Sequence, residues 1–263
     1  MKEVYFPILQ RKISISKTFL SIGSVDIYWY SVMIVIAILI TVICMKKERK
    51  KYGIYYDDML QLMTFLLPIS LICARAYYIA FNLKYYITEP KQILNTRNGG
   101  LAIYGGILGG CCFILVYCKL RKINVLDIFD FICPYLALGQ SIGRWGNFFN
   151  IEAYGKETKN FLRMGIIENN KYIEVHPTFL YESIATFLIC IILFYHRNKR
   201  KYKGQLTLIY FISYCFVRMF IEEIRTDALV FLGLKISQIV SILILVICVM
   251  IVIFKKYFKI TNK

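Results

Sequence analysis

Seven apolar segments follow one another along this chain, the first, third, fifth and seventh cut short by a run of basic residues. They run from about Tyr28 to Met45, Asp57 to Phe81, a third that follows Gly105-Gly106 and ends at Cys118, Leu126 to Ile142, Thr178 to Tyr195, Gln205 to Ile224, and Ile236 to Phe254. Each approaches the length of about 20 residues that an α-helix needs to cross the hydrocarbon of a bilayer. Main-chain polar groups in hydrocarbon must be satisfied within the segment, and the helix does this. The sequence therefore predicts an all-α integral membrane protein, with seven transmembrane helices in one polytopic domain, residues 1–263. Hydrophobic residues make up 58% of the chain, a share that suits spans better than a water-soluble core.

The charges set an orientation. The stretches after the first, third, fifth and seventh segments (46–51, 119–122, 196–203 and 255–263) hold 5, 3, 5 and 4 Lys or Arg. The opposite stretches spread fewer basic residues over several times the length. Dense positive charge stays on the cytoplasmic side, so the N-terminus is expected outside and the C-terminus in the cytoplasm. Residues 1–27 then form an extracytoplasmic lead-in, without the apolar core and small-residue cleavage site of a removable signal peptide. Residues 150–177 form a small extracytoplasmic insertion between helices four and five. The net charge of +17 falls largely into the short runs, where it marks topology and meets anionic lipid; no basic module for nucleic acid accompanies it. The nine cysteines lie within or at the ends of apolar segments and show no metal-ligand spacing with His. No disulfide framework, metal or cofactor is expected.

The densest polar cluster lies where the fourth segment closes: Gly143-Arg144-Trp145-Gly146-Asn147-Phe148-Phe149-Asn150-Ile151-Glu152-Ala153-Tyr154-Gly155. Arg144 offers a fixed cation with five donors, Asn147 and Asn150 offer amides, and Glu152 offers a carboxylate. The glycines, Gly155 among them, are expected to turn the backbone sharply and admit close neighbours. An ionisable group near bilayer depth is costly and points to function, and a guanidinium suits phosphate better than an ammonium does. An arginine alone here would read as a side chain reaching for headgroups. Its dense polar company argues for a site. With the orientation above, Tyr30, Tyr104, Arg144, Asn147, Glu152, His176, Arg218 and Arg225 all fall in the extracytoplasmic half, so distant residues meet at one depth.

Arg218, Glu222 and Arg225 share one helix face at spacings of four and three. Glu222 with Arg225 reads as a packing ion pair. Arg218, a turn deeper, and Arg75 add buried cations that one glutamate cannot neutralise, which makes an anion site with a lipid headgroup as the nearest ligand. His176-Pro177-Thr178 is either a plain helix start, with Pro in the first turn, or the edge of the site together with Tyr181 and Glu182. Gly99-Gly100 and Gly105-Gly106 flank Tyr104. Small residues there let helices pack closely in lipid, and they also let a phenol approach a substrate. Tyr30 reads as an interface aromatic or as a headgroup donor. The chain has no His-Glu-x-x-His helix, Walker loop or Gly-x-Ser-x-Gly elbow. These residues fit a protein that holds a phospholipid headgroup, whether an enzyme or a non-enzymatic lipid carrier, whereas a structural scaffold gives Arg75, Arg144 and Arg218 no purpose.

Gly143-Arg144-x-Gly146-Asn147-Phe148-x-Asn150-x-Glu152-x-x-Gly155 resembles the signature of the prolipoprotein diacylglyceryl transferase family. The resemblance continues, in the family's order, through Tyr28-Trp29-Tyr30, Ala74-Arg75-x-Tyr77-Tyr78, Gly99-Gly100-Leu101-Ala102-Ile103-Tyr104-Gly105-Gly106, His176-Pro177-x-x-x-Tyr181-Glu182 and Arg218-x-x-x-Glu222-x-x-Arg225. It implies transfer of a diacylglyceryl group from phosphatidylglycerol to the lipobox cysteine, in the signal-peptide region of a prolipoprotein. The products would be a thioether and glycerol 1-phosphate. The setting implied is a bacterial cytoplasmic membrane, with the active site on the extracytoplasmic side, and a monomer is expected. Arg144, Arg218, Tyr104 and Glu152 are then the catalytic candidates. Arg144 also joins Asn147, Asn150, Tyr30, Arg75, Gly155, His176, Glu222 and Arg225 as candidates for holding substrate. Arg144 and Arg218 suit a departing phosphate, and the substrate supplies the nucleophile, a thiol with a pKa of about 8.5 that must lose its proton. The family often has His where this chain has Tyr104. The proton therefore goes to Tyr104, as phenolate or relay, or to His176 or Glu152.

Overall fold

The computed structural model describes residues 2–23, 25–48, 52–96, 99–228, 230–231 and 233–261; residues 49–51 of the first basic run and 262–263 of the last lie outside the described residues. Strands β1 (Lys2–Phe6), β2 (Arg11–Ile15), β3 (Thr18–Ile22) and β4 (Val25–Tyr28) precede helices α1 (Trp29–Glu48), α2 (Tyr56–Phe81), α3 (Leu83–Thr88), α4 (Ile103–Arg121) and α5 (Val125–Asn150). Strands β5 (Met164–Glu168) and β6 (Lys171–Val175) lead to α6 (Thr178–Arg197) and α7 (Gln205–Ile224), and β7 (Val230–Phe231) and β8 (Leu234–Lys235) lead to α8 (Ile236–Thr261).

The protein is mostly helical, and among the described residues six helices (α1, α2, α4, α5, α6 and α8) are long and apolar enough to cross a membrane. Helix α7 matches α6 in length at 20 residues but carries Arg218, Glu222 and Glu223, and it is not in that set. The helical expectation holds in the coarser form, mostly helical, and the strands depart from an all-α chain. Strands of the lead-in and of the insertion combine into one four-stranded antiparallel sheet of order β2-β1-β5-β6. Tyr5 of β1 pairs with Gly165 of β5, and the β5–β6 hairpin turns at Asn169 and Asn170, both at positive φ. Asn tolerates that conformation because its short polar side chain bonds locally, and two such residues make the tight turn that suits a twisted ribbon.

Two compact units divide the chain, one of residues 42–131 and the other of 1–41 with 132–263. In the first unit, α2 and α4 pack through glycine. A Cβ added at Gly110 would lie 2.7 Å from the Ser70 hydroxyl, and one at Gly105 would lie 2.6 Å from the Cys73 carbonyl. Gly105 and Gly109, like Gly106 and Gly110, are four apart and line one helix face, the small-residue seam that brings helices close in lipid. In the second unit the sheet packs on helix ends. Val4, Ile15, Met164, Ile166 and Val175 form one buried cluster with Phe148 of α5 and Phe179 of α6. That cluster fixes the end of α5, where the polar motif lies, against the start of α6.

Candidate active site

Helix α5 continues to Asn150, so Gly143 and Gly146 are helical and make no turn. The turn comes later, at Ile151 and Ala153, which adopt positive φ without being glycine. Gly146 has a different use: a Cβ there would lie 2.6 Å from Cδ2 of Tyr30, so the missing side chain lets that ring lie on the helix. Gly155 is also a close-approach position, with His176 Cβ 2.7 Å and the Ile224 carbonyl 3.0 Å from an added Cβ. Its N–H donates to the His176 carbonyl at 2.9 Å, and the residue bridges to Arg225. The expected sharp glycine turn is therefore corrected: Gly146 and Gly155 admit close neighbours, Gly143 has none within 4 Å, and non-glycine residues reverse the chain.

Continuing the helix puts Arg144 and Asn147, three apart, on one face. The Arg144 Nη1 donates to Asn147 Oδ1 at 3.3 Å, and the Nδ2 groups of Asn147 and Asn150 donate to Glu152 Oε1 at 3.0 and 3.1 Å. Glu152 is thus an acceptor aimed by two amides. The centre of the constellation is Glu182, in the second turn of α6. One of its carboxylate oxygens accepts from Arg144 and the other from Arg218 of α7 at 3.0 Å. Arg218 also pairs with Glu222, four residues on, at 2.6 Å. Glu182 and Glu222 are almost wholly buried, with side chains 3% and 2% exposed; Arg218 is 13% exposed and Arg144 23%. Buried charges need such partners, because the cost of removing them from water is otherwise unmet.

Two expectations are corrected here. Glu222 does not pair with Arg225: α7 ends at Ile224, Arg225 is extended, and its guanidinium forms a two-pronged pair with Asp227 at 2.9 and 2.8 Å. Helical spacing stops predicting neighbours where the helix stops. Nor are the arginines in excess, since two guanidiniums (Arg144, Arg218) face two carboxylates (Glu182, Glu222). Glu182, placed by its sequence only at the edge, is the hub.

His176 sits just before α6, with Nδ1 3.2 Å from the Tyr181 hydroxyl; burial holds its pKa below the usual imidazole value, which favours the neutral ring. Burial alone would raise the Asp227 carboxyl, but the Arg225 guanidinium outweighs it and holds it below its ordinary range.

Arg75 and Tyr104 belong to the other unit. Tyr104 is the second residue of α4 and is half-buried. Arg75 spends all five N–H donors on main-chain carbonyls: Nε on Ile93, Nη1 on Gly99 and Gly100, Nη2 on Gln92 and Asn95, at 2.6 to 3.2 Å. Gly99 and Gly100, at φ 88° and 83°, turn their carbonyls onto it, a conformation in which only glycine is unstrained. The Tyr86 ring lies under the guanidinium at 5.2 Å, within a cavity of about 340 Å³ lined also by Tyr78 and Tyr85.

The family model described as prolipoprotein diacylglyceryl transferase matches residues 17–254. A phosphatidylglycerol–prolipoprotein diacylglyceryl transferase of Bacillus cytotoxicus is 41% identical over 243 residues, covering 89% of this chain and 90% of the relative. One of Clostridioides difficile is 42% identical, covering 83% and 87%, and one of Finegoldia magna is 41% identical, covering 86% and 90%. The matched region holds every residue of the Glu182 cluster and both helices that carry its arginines, and on that footing the chain belongs to the prolipoprotein diacylglyceryl transferase family.

Proposed function

We propose that this chain transfers the diacylglyceryl group of phosphatidylglycerol to the lipobox cysteine of prolipoproteins, releasing glycerol 1-phosphate. The observation that carries the mechanism is the meeting of Arg144 and Arg218, from separate helices, on one buried carboxylate. Two guanidiniums that reach one two-oxygen anion can reach another, and a phosphodiester offers two oxygens that share one charge. The thiol yields its proton to a base, sulfur bonds to the glyceryl carbon, and the carbon–oxygen bond breaks with its electron pair left on the phosphate. Arg144 and Arg218 stabilise that charge where little water screens it. Asn147, Asn150 and Glu152 extend the site from Arg144, with Tyr30 against Gly146 beside them. Glu222 holds Arg218, and Gly155, His176 and Arg225 tie the ends of α5, α6 and α7 together. Arg75 serves indirectly, by fixing the loop that leads to Tyr104.

In this reading α7 is the seventh span, its charges turned inward. The N-terminus and the site face the extracytoplasmic side of a bacterial cytoplasmic membrane, and the enzyme works as a monomer. The proton acceptor is Tyr104, His176 or Glu152. His176, whose Nδ1 meets the Tyr181 hydroxyl, is favoured in its neutral form by burial, and Glu152 is aimed by two amides. Tyr104→Phe separates them: full turnover excludes the phenol, and a loss of about a hundredfold or more assigns it. The activity is tested by incubating the purified protein with phosphatidylglycerol and a lipobox peptide. A mass gain of one diacylglyceryl group is the expected result; lipid binding without product would make the protein a carrier.

A further inference from the structure

Glu182 does more than neutralise its neighbours. Its backbone is fixed: Ser141 and Ser183, each beside the site on α5 and α6, donate to one another's carbonyls at 2.8 Å, and both are buried. The Thr186 hydroxyl also donates to the Glu182 carbonyl at 2.7 Å. The two arginines it holds are held unequally. Arg218 has a second carboxylate in Glu222 and is 13% exposed, whereas Arg144 is 23% exposed and its further partners, Asn147 at 3.3 Å and the Tyr214 hydroxyl, are neutral. An anion arriving from the open side meets Arg144 first, and Arg144 has less to keep it in place.

We propose that Glu182 is a positioning residue for the transfer: its carboxylate keeps the place between Arg144 and Arg218 that the lipid phosphate takes in turnover, yielding Arg144 to the phosphate and recovering it when glycerol phosphate leaves. This rests on the transferase reading. A carboxylate and a phosphodiester each present two oxygens sharing one negative charge, so one guanidinium pair fits both in turn. The resting carboxylate prevents two buried cations from standing uncompensated and opposes retention of the product.

The test is product inhibition of the purified enzyme by glycerol 1-phosphate, with phosphatidylglycerol and a lipobox peptide as substrates. Glu182→Gln removes the competing charge, so the inhibition constant should fall about tenfold, the size expected for losing a charged hydrogen bond that competed. The KM for phosphatidylglycerol should fall with it, while kcat falls because release slows. Glu182→Asp keeps the charge on a shorter arm and should give an intermediate inhibition constant, which keeps the idea testable if the Gln variant does not fold. A merely structural role would raise KM and the inhibition constant together. Wild-type turnover with an unchanged or higher inhibition constant in the variants overturns the inference. No product from the wild-type protein overturns the transferase reading instead.

Discussion

Arg75 and Arg144 are both guanidiniums largely withdrawn from solvent, and their partners differ in kind. Arg75 donates to five main-chain carbonyls between residues 92 and 100, each covalently part of the loop it shapes. Arg144 leans on a carboxylate and an amide side chain. Main-chain carbonyls cannot leave without unfolding the loop, so Arg75 is built into the fold. A side-chain carboxylate can be exchanged for another anion of similar shape, so Arg144 remains available for chemistry. Both arginines belong to motifs that resemble the family's, and only the partner tells a clip from a ligand.

Substitutions can break that contrast. The largest stability effect is expected for Arg75→Ala, which strands several half-buried carbonyls and should cost roughly 3 kcal/mol or more. Thermal unfolding in detergent would register it as a large fall in Tm. Arg75→Lys, with three donors in place of a planar five, should recover only a minor part. If Arg75→Ala unfolds like the wild type but loses lipid affinity, the contrast between clip and ligand fails. A smaller cost, about 1–3 kcal/mol, is expected for Gly100→Ala, because φ 83° strains an L-residue and the new Cβ meets the Arg75 guanidinium. Its effect should add little to that of Arg75→Ala in a double variant, since both act on one loop.

The smallest effect concerns pH. Burial lowers the His176 pKa, so the unfolded chain binds a proton at a higher pH than the folded one. Stability from this residue is then complete above the unfolded value of about 6.5 and declines as pH falls below it. Unfolding midpoints measured between pH 7.5 and 5 should fall less steeply in His176→Gln than in the wild type. Equal slopes would place the pH dependence elsewhere.

Much of this architecture is legible in the sequence because hydrocarbon imposes a length. The segment expected from Thr178 to Tyr195 lies within α6, whose start is marked by Pro177, whereas Gln205–Ile224 matches α7 in its bounds but carries too much charge to count among the membrane-length apolar helices. The sheet is not legible, since its strands are five residues long and β1 finds β5 across more than 150 residues of chain. Glycine was ambiguous by nature: a missing side chain serves a turn or a close neighbour equally well, and at Gly146 the neighbour, Tyr30, lies far off in sequence. Helical spacing paired Glu222 with Arg225 although the helix ends one residue short. The role of Glu182 depends on where three helices converge, which spacing along any one of them does not contain.

Arg144→Ala tests the central claim most directly. The variant is assayed for addition of a diacylglyceryl group to a lipobox peptide, beside its unfolding midpoint in detergent. If Arg144 meets the departing phosphate, transfer falls by about a hundredfold or more, as expected for removing a donor from developing negative charge, while the protein stays folded. Turnover near the wild-type rate in a folded Arg144→Ala protein would contradict it.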